Sequence, residues 1–60
     1  RVFQLGQRVL YTGPDTKYIK SGVIGIINYI DKGSLYPYGL QTEENQGDFV
    51  SPFNLQPINY

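Results

Sequence analysis

The side chains able to do chemistry in this chain are few. Its carboxylates are Asp15, Asp31, Glu43, Glu44 and Asp48. A carboxylate pair can run acid–base chemistry when burial and neighbours push the two pKa values apart. All five fall in stretches that read as turns or strand ends, where solvated charge is the ordinary state. The chain has no Cys and no His. It therefore cannot assemble a thiol nucleophile, an imidazole base or a Ser-His-Asp arrangement. Thiolate and imidazole zinc sites are excluded on the same grounds. The expectation is a protein that is not an enzyme and calls for no cofactor.

The other notable side chains suit contact. Six Tyr and three Phe stand among 60 residues, and Tyr joins an apolar ring to a polar tip that favours interfaces. Tyr11, Tyr38, Phe49 and Phe53 are expected in the core. Tyr18, Tyr29 and Tyr36 are expected to be partly exposed. If Tyr18 approaches Tyr36 and Phe53, the three form a shallow aromatic groove; the alternative is that they cover the open ends of a thin domain. Lys17 and Lys20 lie in one loop, whereas Glu43, Glu44 and Asp48 cluster near another, which reads as a dipolar molecule. The candidate binding residues are Tyr18, Tyr29, Tyr36, Phe53, Lys17 and Lys20.

These residues must be positioned by strands. Gly22 to Asp31 is rich in Val and Ile, which lose side-chain freedom in a helix and pack well on a pleated sheet. Gly22 and Gly25 would each cost a helix about 1 kcal/mol relative to Ala. Neither alternating face of this stretch is cleanly polar, so it reads as a central strand buried on both faces. Gly25 reads as a bulge or strong bend where another strand crosses closely, the alternative being a glycine that faces a bulky neighbour. Arg8 to Tyr11 is the strand before it, followed by the turn Thr12-Gly13-Pro14-Asp15 and a long loop to Ser21.

Asp31-Lys32-Gly33-Ser34 reads as a hairpin turn with Gly33 at positive φ. Leu35 to Thr42 follows as a third strand. Pro37 places it at a strand start or on an edge, where it could pair between chains. In it Tyr38 and Leu40 face the core and Tyr36 its rim. Glu43 to Gly47 is the second hairpin tip and Asp48 to Ser51 a short fourth strand. Ser51-Pro52-Phe53-Asn54 has a capping Ser and a Pro suited to the first position of a single helical turn. Gln56 to Ile58 closes the chain as a fifth strand. The fold class expected is all-β, in a single domain over residues 1–60.

The pattern Gly22-x-x-Gly25-x-Ile27-x-x-Ile30 resembles the glycine-hydrophobic strand of KOW-like and related SH3-like small barrels. Leu5-Gly6-Gln7-Arg8-Val9 is similar to their opening strand, and Gly47 to Ile58 to the strand, one-turn helix and final strand of SH3 domains. The resemblance covers about Leu5 to Ile58 and implies a five-stranded SH3-like barrel with a one-turn helix before the last strand. This architecture hosts unrelated functions. The chain departs from proline-peptide-binding SH3 domains in having no Trp and no acidic first loop.

Five basic and five acidic residues give zero formal net charge. Nucleic-acid binders usually carry a basic surplus, so the expected partner is another protein. Nucleic-acid binding, the alternative, requires Arg1, Arg8, Lys17, Lys20 and Lys32 to converge on one face. No apolar run of about 18 residues exists, so no membrane span is expected. The lack of Cys is compatible with the cytoplasm. The start at Arg1 is compatible with a piece of a longer chain, and the oligomeric state is open.

Overall fold

The computed structural model describes residues 2–44 and 47–58. Arg1, and Asn45 and Gln46 of the expected hairpin tip, lie outside the described residues. The Val- and Ile-rich stretch forms the central strand β2 (Ile24–Ile30). It is flanked by β1 (Arg8–Tyr11) and β3 (Tyr38–Gln41), and β4 (Asp48–Val50) and β5 (Leu55–Pro57) complete the set. All five strands join one antiparallel sheet in the order β4-β3-β2-β1-β5. The single helical element among the described residues is a 3-10 turn at Pro52–Asn54, before the last strand. Ser51 caps it by accepting the Phe53 N–H at 3.2 Å, and Pro52 opens it. Among the described residues no helix is long and apolar enough to cross a membrane.

The core lies on one side of this sheet. Val9 and Tyr11, Ile27, Tyr38 and Leu40, Val50 and Leu55 are buried in one cluster, joined by Phe3 and Ile19 from outside the strands. Among the described residues no helical layer covers them. Phe3 arrives from the N-terminal segment and donates its N–H to Tyr38 Oη at 3.1 Å. Ile19 is delivered by the long first loop, where Thr16 Oγ1 accepts the N–H groups of Tyr18 and Ile19 at 3.2 and 3.0 Å. No buried side-chain nitrogen or oxygen among the described residues lacks a hydrogen-bond partner.

Several expectations are corrected. The central strand is buried on one face only. Gly25 and Ile27 are buried while Ile24 and Ile26 face outward, because no described element packs on them from the outer side. The bulge falls between Ile27 and Tyr29. Gly25 instead marks a close approach: a Cβ there would lie 2.7 Å from both the Gln41 carbonyl oxygen and Leu40 Cδ1. Gly33 is not at positive φ; that conformation falls at Gly6, Gly22 and Gly47. The turn after β2 is made by Asp31, whose Oδ1 accepts the Gly33 N–H at 3.2 Å and whose carbonyl accepts the Ser34 N–H at 3.1 Å.

The third strand is shorter than expected, leaving Leu35 and Tyr36 exposed in the preceding loop. It lies inside the sheet, so the edges are β4 and β5. The two expected core aromatics Phe49 and Phe53 are 54% and 92% exposed. Phe49 stands opposite Gly39 on the outward side of its strand, and the Pro52–Asn54 turn buries none of its residues.

Candidate binding surface

Strand register decides what meets on the outer face. Tyr29 pairs with Gly39, and Gly39 with Phe49, across β2, β3 and β4. Residues directly opposite share a face, but rings two strands apart are separated by roughly 9 to 10 Å of backbone spacing. Gly39 between them has no side chain to intervene. The Tyr29 and Phe49 rings close over it edge to face, with centroids 5.9 Å apart and planes at 85°. This covers a glycine in a sheet with neighbouring aromatics, and both rings remain about half exposed.

A second apolar group lies further along β2. Ile24 and Ile26 point outward and are 42% and 46% exposed. They floor a groove whose walls include Arg8 and Gln41 on the flanking strands and Glu43 and Glu44 beyond β3. Arg8 stands opposite Ile26 on β1, and Gln41 opposite it on β3. A long hydrogen bond from Asn28 Nδ2 to Gln41 Oε1, 3.5 Å, separates the isoleucine group from the aromatic pair. Outward positions of an antiparallel sheet with one solvated face are ordinarily polar. On β2, Ile24, Ile26 and Tyr29 break that rule.

The other candidates lie elsewhere. Tyr18 sits in the first loop, with Lys17 Nζ 5.5 Å from its ring centroid. It shares a cleft with Lys20, Thr42 and Glu44, beyond the end of β3. Tyr36 precedes the start of β3, so extended chain on the order of 15 Å separates the two ends. Tyr18 and Tyr36 are therefore not brought together. Phe53 projects from the turn whose Asn54 carbonyl accepts the Thr12 N–H at 2.8 Å. Of the candidate residues, Tyr29 alone belongs to the outer-face group. Phe49, Ile24 and Ile26, its partners there, were not among the candidates. The sequence signal for the two isoleucines was that neither face of β2 is cleanly polar; Phe49, on β4, had no such signal.

The expected dipole is also corrected. Lys17, Lys20 and Glu44 line the same cleft, so opposite charges meet at one end of the molecule. Asp48 is opposite Leu40 and so belongs to the inward-facing register. Its carboxylate accepts the Phe49 N–H at 2.8 Å. Asp15 Oδ1 likewise accepts the Ser21 N–H at 2.8 Å. These carboxylates hold local backbone, and no group of acidic residues suited to a metal ion occurs among the described residues. The Tyr11 hydroxyl has its pKa raised above the ordinary value of 10.0, first by burial and then by the negative charges of Asp48 and Asp15. It donates to the Pro14 carbonyl at 2.7 Å, which anchors the first loop to the core.

No family model, curated protein or solved structure matches this chain. The outer face carries two exposed apolar groups, with Arg8, Glu43 and Glu44 around one of them.

Proposed function

We propose that this chain is a small non-catalytic binding module that acts through protein–protein contacts on the outer face of its sheet. The observation that carries the reading is the row Ile24, Ile26, Tyr29 with Phe49, exposed on a face that the described chain does not cover. Apolar side chains on such a face gain roughly 25 cal/mol per Å² when a partner removes them from water. An SH3-like barrel is the architecture we propose for the module. The strand order, the long first loop and the 3-10 turn before the last strand support it.

The spread of positive charge counts against nucleic acid. Lys17 and Lys20 precede β2 and Lys32 follows it, so the seven residues of that strand stand between them, about 20 Å of extended chain. Arg8 lies on β1. Amide-shift titration with single- and double-stranded oligonucleotides at low and moderate salt tests this directly. The expected result is no shift. Salt-sensitive shifts centred on Lys17, Lys20 and nearby tyrosines would replace the protein-contact reading with a nucleic-acid one. A photo-crosslinking residue placed at position 26 is expected to trap a protein, and one at Leu35, also exposed, is not.

A further inference from the structure

We infer that the partner of the outer face is a second copy of this chain, in a two-fold symmetric, face-to-face pair. The inference rests on the binding-module reading above. Three observations select a second copy. The first is charge placement around the Ile24–Ile26 groove, with Arg8 on one flank and Glu43 and Glu44 on the other. A two-fold axis lying in the interface, oblique to β2 and passing between the isoleucines, carries Arg8 of each copy toward the Glu43 and Glu44 side of the other. The same operation brings Ile24 and Ile26 of the two copies together, so that one patch meets itself as an isologous contact requires. The second is net charge: with five basic and five acidic residues, two copies approach without overall repulsion.

The third observation is that the competing route, pairing edge to edge, is guarded. On β4 the Phe49 N–H is already taken by the Asp48 carboxylate. On β5, Pro57 has no N–H to give. Both are devices that discourage strand addition. Two sheets packed face to face sit about 10 Å apart with side chains interdigitated. A standard interface takes about 800 Å² from each partner, under a fifth of the 4421 Å² the chain exposes.

Sedimentation of the 60-residue chain from micromolar to millimolar concentration tests the pair. The expected result is a concentration-dependent dimer. Ile26→Asp should raise its Kd about 100-fold, since symmetry removes the buried side chain twice. The amide spectrum of that variant, whose site is on the surface, verifies that it stays folded. The decisive arm is a mixing experiment. Arg8→Glu alone and Glu43→Lys with Glu44→Lys alone should each associate more weakly than the parent. Mixed in equal amounts they should associate again, because both cross-contacts then join opposite charges. A parent chain that stays monomeric, a dimer indifferent to Ile26→Asp, or a mixture no tighter than its components would overturn the inference. If the chain is monomeric and the crosslinker at position 26 still traps a different protein, the second copy is wrong and the binding-module reading stands. A monomer that crosslinks to nothing removes both.

Discussion

Two aromatic pairs of nearly the same geometry sit on opposite faces of one sheet. Phe3 and Tyr38 meet at 5.4 Å and 89°, Tyr29 and Phe49 at 5.9 Å and 85°. The inner pair is buried and joined by a hydrogen bond from the Phe3 N–H to the Tyr38 hydroxyl. The outer pair is half exposed. Edge-to-face geometry is set by the ring quadrupoles and is indifferent to the side of the sheet. The free energy depends on how much apolar surface leaves water. The inner pair therefore holds the fold, and the outer pair leaves apolar surface in water, where the proposed partner would cover it.

The largest expected effect comes from breaking each pair in turn. Phe3→Ala should cost about 3 to 5 kcal/mol, as much as the core of so small a domain supplies in total. Its denaturant curve should show a chain largely unfolded in buffer. Phe49→Ala should cost about 1 kcal/mol, the scale of an aromatic pair with little burial behind it. Equal losses in the two melts would abolish the distinction between the faces.

Glycine substitutions sharpen the same contrast at smaller magnitude. Gly25→Ala puts a methyl against a backbone carbonyl, which has nowhere to go, and should destabilise by about 1 to 3 kcal/mol. Gly39→Ala meets Asn28 Oδ1 at 2.8 Å and Tyr29 Cβ at 3.0 Å. The amide end can swing outward, so the expected cost is about 1 kcal/mol or less, with changed shifts at the Tyr29 and Phe49 rings. A chemical-denaturation series on the two variants ranks them.

The smallest effect concerns Tyr11. Its pKa is raised in the folded state, so above pH about 10 the unfolded chain loses this proton while the folded chain retains it. The stabilisation is complete below the unfolded pKa and is lost as pH rises through the folded one. Melting temperature should fall on the alkaline side, and Tyr11→Phe should flatten that fall. The same variant loses the bond to the Pro14 carbonyl, at about 1 kcal/mol near neutrality. An alkaline profile identical in parent and variant would place the transition on other groups.

Much of the fold was legible because it is local. Alternation placed Tyr38 and Leu40 on one face, and Ser51-Pro52 announced the single turn before the last strand. The outer face was not legible. In the three residues Asp48, Phe49 and Val50, period two allows Phe49 inward or outward, and the choice follows from register against β3. Phe3 and Ile19 complete the core from segments with no period at all. The meeting of Lys17 and Lys20 with Glu44 joins residues far apart in the chain, which loop composition cannot report.

By itself the sequence determined the class of the protein and the chemistry it lacks. Short Val-, Ile- and Tyr-rich runs between turn residues have no stable helical alternative, and a chain without Cys or His cannot place thiolate or imidazole in any fold. Tertiary structure decided which side of each strand meets water. A one-residue change of register exchanges the two faces of a strand. Ile27 became core while Ile24, Ile26, Tyr29 and Phe49 became surface because Phe3 and Ile19 pack with the strands on the inner face of the sheet.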